Sequence, residues 1–213
     1  MSAVPRLHAV TDDRTLERDG WLDQALEVLE AGGPRLAVHV RGRRTAGARL
    51  FEYVRRLMDR AGNRDGWVVV NDRIDVALAS GADAVHLSAR SLDVATARRI
   101  LGEDAAVGVS LHAHDAPAAQ RAEGADYAFV GNIFDTPSHE GALAMGAAGL
   151  AKFVERAWGL PVVAIGGIGA EHVAELVACG AHGVAVIRAV WDRPSPADAA
   201  TELLRAIEEA IDA

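Results

Sequence analysis

Short apolar runs rich in β-branched residues alternate along the chain with longer stretches whose apolar positions recur every three or four residues. The first run, Leu7-His8-Ala9-Val10-Thr11-Asp12, is apolar and turns polar at its end. Leu22, Ala25, Leu26, Val28 and Leu29 follow at helical spacing until Gly32-Gly33 stops them. The same beat predicts strands at 36–40, 67–70, 84–87, 106–111, 127–130, 161–165 and 183–187. Helices are expected at 46–61, 74–80, 94–101, 116–123, 147–158, 171–179 and 196–211. Eight strand–helix units in 213 residues predict an α/β fold, a (β/α)8 TIM barrel forming a single domain over 1–213. A doubly wound open sheet is the alternative; it usually has fewer strands and needs a reversal in strand order.

Composition changes that picture little. Half of the residues are hydrophobic and 24% charged, which suits a domain with a substantial core. A net charge of −8 gives no general attraction to nucleic acid or to an anionic membrane. Against it stands the cluster Arg41, Arg43 and Arg44, an anion site or a solvated loop. The one cysteine, Cys179, rules out an internal disulfide and reads as a small core filler. Neither a membrane-spanning run nor a signal-peptide layout is visible, so a cytoplasmic protein is expected.

In a parallel barrel the carboxyl ends of the strands carry the chemistry. Here those ends hold Thr11 and Asp12; His39, Arg41 and Arg43; Asn71 and Asp72; Ser88; Ser110 and His112; and Asn132 with Thr136, Ser138 and His139. The last two strands end at Gly166-Gly167 and at Ile187-Arg188. The segments entering the strands are bland by comparison. Gly166-Gly167 after the seventh strand suits a phosphate bound by main-chain N–H groups, or an ordinary turn. Arg188 strengthens such a site or pairs with Asp192. Asn71-Asp72 binds a ligand or Mg²⁺, or caps the next helix. Asp93 reads as an N-cap, and His86 as a core residue within its strand. His39, His112 and His139 are placed to act as acid or base near neutral pH, or each to serve a structural or orienting role instead.

LHAVTD, VHVRGR, VVVNDRIDVALASGADAVHL, VGVSLH, GADYAFVGNIFDT, PVVAIGGI and GVAVIRAVWDRPSP occur in the order found in the thiamine phosphate synthase/TenI family, which the chain resembles over almost its whole length. The resemblance implies a barrel that binds a thiazole phosphate through Gly166, Gly167, Ile187, Arg188, Thr136 and Ser138, with His39, Arg41, Arg43 and Asn71 contacting substrate. In the synthase branch a Gln-x-Arg-x-Lys pattern corresponds to His39, Arg41 and Arg43. Its first magnesium Asp corresponds to Asp72; the second falls on Ser91, and its loop Lys on His139. HLSARSLDVATARRI and GNIFDT are closer to the TenI branch, the thiazole tautomerases, whose catalytic His falls on Asn132.

The expectation is therefore a tautomerase that moves a proton on a carboxythiazole phosphate without a cofactor, with His139 or His112 as base and Asn132 orienting the substrate. The alternatives are a divergent thiamine phosphate synthase, with Mg²⁺ at Asp72, and a non-catalytic phosphate-ligand sensor. The expected partner is a small phosphorylated heterocycle, with no nucleic acid and no membrane; a homodimer is allowed.

Overall fold

A computed structural model describes residues 3–61, 66–136 and 144–213. Its eight parallel strands are β1 (Leu7–Val10), β2 (Leu36–Val40), β3 (Trp67–Asn71), β4 (Ala84–Leu87), β5 (Ala106–Leu111), β6 (Tyr127–Val130), β7 (Val162–Ile165) and β8 (Gly183–Val186). Each pairs with the next, and β1 closes the ring against β8 with Leu7 opposite Val184. That closure makes the fold a (β/α)8 barrel and removes the open-sheet alternative.

The strand period of two sorts side chains onto two faces. Leu36, Val38 and Val40 of β2 face outward into the layer shared with the helices, as do Val68 and Val70 of β3. Ala37 and Val69 face inward, with Val10, Trp67, Ala84, Ala106, Tyr127, Phe129, Val163 and Ala185. Tyr127 fits inside because Gly108 lies beside it; a Cβ at 108 would sit 2.1 Å from the phenol ring. The outer layer is covered by α2 (Trp21–Gly32), α3 (Gly47–Ala61), α4 (Ile74–Ser80), α5 (Val94–Leu101), α6 (Pro117–Ala122), α7 (Gly146–Glu155), α8 (Val173–Ala178) and α10 (Pro196–Ile211). Among the described residues no helix is long and apolar enough to cross a membrane.

Two short helices at the carboxyl end of the barrel, α1 (Asp13–Leu16) and α9 (Arg188–Trp191), have too few residues to show a helical period in the sequence. Asp12 caps α1 by accepting from the Thr15 N–H at 2.8 Å. Asp93 caps α5 through the Thr96 N–H at 2.7 Å, as its position suggested. The helix expected at 147–158 ends at Glu155, because the chain turns at Trp158 (φ 51°) to reach Pro161. The single helix expected at 171–179 divides into a 3-10 turn, Ala170–His172, and α8.

The amino end of the barrel is closed by paired polar groups. Asp126 accepts from the Val107 N–H and from Arg98, both within 2.7 Å, and Arg98 also donates to the carbonyls of Gly102, Ala105 and Gly124. Asp83 accepts from the Val68 N–H at 2.7 Å. These contacts tie the starts of β3 and β5 to the turns that lead into β4 and β6.

Candidate active site at the barrel mouth

At the opposite end the chain leaves β2 into a loop that holds its arginines by main-chain chemistry. The Thr11 hydroxyl donates to the His39 carbonyl at 2.9 Å and accepts from the Arg41 N–H at 2.8 Å. Asp13 accepts from the N–H groups of Arg43, Arg44 and Thr45 at 3.0 Å and from the Thr45 hydroxyl at 2.8 Å. Burial works to raise the Asp13 pKa, but those donors outweigh it and hold the carboxyl below its usual range. Gly42 is required in this turn, since a Cβ there would lie 2.3 Å from the Thr45 hydroxyl. With the backbone pinned, the Arg41 and Arg43 side chains face a cavity of about 270 Å³ shared with Asn71, Asp72, Arg73 and Arg90. A larger hollow of about 500 Å³, walled in part by Arg14, Arg18 and Trp191, shares no residue with it, and its Arg18 is already paired with Asp192.

Asp72 adopts φ 63°, a left-handed conformation that Asp tolerates better than most residues. Its Oδ1 accepts from the Ser88 N–H at 2.8 Å and from the Ser91 hydroxyl. Burial raises its pKa; the hydrogen bonds from Ser91 and Ser88, helped by the charge of Arg41, more than reverse that and keep Asp72 ionised. Neither Asn71 nor Asp72 caps α4, whose N-cap is Arg73 without a side-chain bond, so the capping alternative falls away. The Arg73 guanidinium is occupied by Asp75.

His39, expected at the rim, is fully buried in the barrel interior, one step below the mouth. Its Nε2 lies 2.9 Å from Nδ1 of His8, whose Nε2 lies 3.0 Å from the Pro5 carbonyl; on the other side its Nδ1 is 3.0 Å from the Asn71 amide. The Pro5 carbonyl only accepts, so His8 carries its proton on Nε2 and His39 on its own Nε2. The structure places Asn71 Oδ1 at His39 Nδ1; with His39 protonated on Nε2 that contact is a hydrogen bond only when the amide is turned so that its NH₂ donates to Nδ1. Reversing the chain would require a charged His8 in an apolar interior, an uncompensated cost of several kcal/mol, on the order given for buried ions. Burial, and then the proximity of His39, indeed hold the His8 pKa well below normal. Burial and the nearby His86 do the same for His39. His86 is the core residue its mid-strand position suggested: its Nε2 is 2.8 Å from the Ser110 hydroxyl and its Nδ1 3.3 Å from the Tyr127 hydroxyl. Burial lowers its pKa to about 3.

The third sector joins the loop after β6 to the turn after β7. The Ile133 N–H donates to the Ile165 carbonyl and the Phe134 N–H to the Gly166 carbonyl, each at 3.0 Å. Gly166 (φ 107°) and Gly167 (φ 67°) lie so close to this loop that a Cβ at either would meet Asn132 or Asp135 within 2.7 Å. Packing alone therefore demands both glycines. Arg188 donates to the Thr136 hydroxyl at 3.0 Å and leaves Asp192 to Arg18. Ile187 precedes it as the N-cap residue of α9. Asn132 is half-buried, and its amide donates to the Phe134 carbonyl at 3.3 Å. Ser138 and His139 lie outside the described residues. His112 stands just beyond β5 with a side chain 68% exposed, 3.4 Å from Asp115.

Residues 7–190 match the family model described as thiamine monophosphate synthase, TMP-TENI. The chain belongs to this family. A thiamine-phosphate synthase of Salinispora arenicola is 38% identical over 210 residues, covering 97% of this chain and 99% of the relative. A bifunctional thiamine biosynthesis protein, ThiM/ThiE, of Symbiobacterium thermophilum is 40% identical over 185 residues, 87% of this chain; the chain spans 38% of that relative's length. Among solved structures, thiamine phosphate pyrophosphorylase from Pyrococcus furiosus superimposes with a TM-score of 0.81 at 31% identity, covering 97% of this chain and 96% of the other. In this thiamine monophosphate synthase family barrel, the list of strand ends misses His8 and the inward ladder it begins, buried beneath the mouth, and Arg90 at the mouth itself. Reading every second strand residue as inward would have grouped His8, His39 and His86.

Proposed function

We propose that the chain is a thiamine-phosphate synthase, joining a hydroxymethylpyrimidine diphosphate to a thiazole phosphate with loss of pyrophosphate. The observation that carries this reading is the gathering of Arg41, Arg43, Asn71 and Asp72 around one cavity. The synthase names of near-full-length relatives favour it over the tautomerase suggested by the HLSARSLDVATARRI and GNIFDT segments. The position of the tautomerase base is Asn132, an amide that cannot carry a proton back and forth.

In this reading the thiazole nitrogen bonds to the pyrimidine methylene carbon as the bond from that carbon to the diphosphate oxygen breaks. Arg41 and Arg43 face the charge that grows on the departing oxygens; fixed cations at such a point stabilise the transition state more than the ground state. Asn71, which lines the same cavity, hydrogen-bonds the ligand. Gly166, Gly167, Ile187, Arg188 and Thr136 form the sector assigned to the thiazole phosphate; Ser138, expected with them, lies outside the described residues.

A magnesium ion is implied for a synthase. Among the described residues no group of three or more His, Cys, Asp or Glu side chains could hold a metal. Asp72 is a single ionised carboxylate with Oδ1 already accepting two hydrogen bonds, and the other charged side chains lining the cavity are arginines, so the residues present do not fit a magnesium site.

The test is formation of thiamine phosphate from the two substrates, with and without Mg²⁺. Turnover supports the synthase. Aromatisation of carboxythiazole phosphate without synthase turnover would establish the tautomerase instead, and thiazole phosphate binding with neither reaction would leave a sensor.

A further inference from the structure

Arg90 lies on the loop after β4, one position before Ser91, and lines the same cavity as Arg41 and Arg43. Among the described residues none of these three guanidinium groups has a carboxylate within ion-pair distance, whereas Arg73 beside them is engaged by Asp75. Three cations without an ion-pair partner thus line the cavity beside the single carboxylate Asp72, in a chain whose net charge is −8; the charges of Asp72, Asp12 and Asp13 offset part of the repulsion at Arg41. Cations held together without partners repel one another. Arg41 shows that cost: burial first, and then the charge of Arg43, lower its pKa. Such an arrangement is stabilised by a multiply charged anion, and guanidinium forks match phosphate oxygens in a bidentate way.

The Ser91 hydroxyl gives a second reason. It donates to Asp72 Oδ1, so it closes off one carboxylate oxygen and brings no negative charge of its own. The loop that would bring a second anionic ligand to a metal instead brings Arg90, a cation. The cavity is therefore richer in donors to an anion than in ligands for a cation.

We propose that Arg90, together with Arg41 and Arg43, binds the diphosphate group directly, so that this chain holds the anion without a metal ion. The inference rests on the synthase reading for the identity of the diphosphate, but the arginine cavity is a property of the chain itself.

The experiment is calorimetric titration of the whole protein with inorganic pyrophosphate, in EDTA and again in Mg²⁺. Binding is expected in EDTA, with affinity at least about tenfold weaker in Arg90→Ala, the loss on the order of one charge-assisted bond. Arg205→Ala removes the same charge from the exposed face of α10 and is expected to bind like the unaltered protein. Ser91→Asp restores a carboxylate and is expected to weaken binding in EDTA and make it respond to Mg²⁺. No binding in EDTA, or equal affinity in Arg90→Ala, overturns the proposal. If thiamine phosphate forms but pyrophosphate binds only with Mg²⁺, this proposal falls and the synthase reading stands. If metal-free binding depends on Arg90 but no thiamine phosphate forms, the anion site stands and the reaction assignment falls.

Discussion

The two ends of the barrel are both polar, yet they treat charge in opposite ways. At the amino end Arg98 meets Asp126 and three carbonyls, and Asp83 meets a strand N–H. At the carboxyl end Arg41, Arg43 and Arg90 converge on a cavity in which Asp72 is tied to Ser88 and Ser91. Satisfied charges hold strands to turns; charges left facing a cavity await a ligand. The same residue type therefore supports the fold at one end and the proposed chemistry at the other.

Breaking each end separately should separate the two roles. Arg41→Ala is expected to reduce synthase kcat/KM by roughly a hundredfold or more, the scale of losing one transition-state charge partner, with little change in the thermal midpoint. Steady-state kinetics and calorimetry on the same preparation check this; a large fall in the midpoint with unaltered kcat/KM would contradict it. Arg98→Ala should do the reverse. It leaves Asp126 and several carbonyls without their cation, costing about 2–3 kcal/mol in urea unfolding while the folded enzyme keeps its turnover. A loss of turnover without a loss of stability would erase the contrast between the ends.

The interior between the ends predicts a pH dependence. His8, His39 and His86 stay neutral in the folded protein, because burial lowers their pKa values, that of His86 to about 3. In the unfolded chain each binds a proton below about pH 6.5. The unfolded state then holds more protons, so stability falls as pH drops below that value and levels off only below the folded pKa values. The slope is at most about 1.4 kcal/mol per pH unit for each histidine. Unfolding curves between pH 7.5 and 5 measure it, and a flat profile would show that the three rings are charged when folded. The smallest effect is expected at Arg188. Arg188→Ala removes the bond to Thr136 and should raise KM for thiazole phosphate by about tenfold with kcat little changed.

The barrel was legible because strand and helix periods recur eight times without interruption. The mouth was legible as a set of strand ends, and Asn71, Asp72, Arg41 and Arg43 do meet at one cavity. Depth was not: His39 looks like a rim residue from its place near the end of β2, but its strand phase turns it inward beneath Asn71. Pairing was equally hidden. The sequence left Arg188 between a phosphate site and Asp192, and only the folded chain gives Asp192 to Arg18 and Thr136 to Arg188. Arg90 was hidden because the family pattern calls for a carboxylate at position 91 beside it, and the charge Arg90 brings has the other sign.

The most direct measurement is a crystal structure of the protein with thiamine phosphate and pyrophosphate bound together. The account predicts pyrophosphate oxygens within hydrogen-bond distance of Arg41, Arg43 and Arg90, and the ester phosphate beside Gly166, Gly167 and Arg188. Pyrophosphate bound elsewhere, or the two anions exchanged between these sectors, would contradict it.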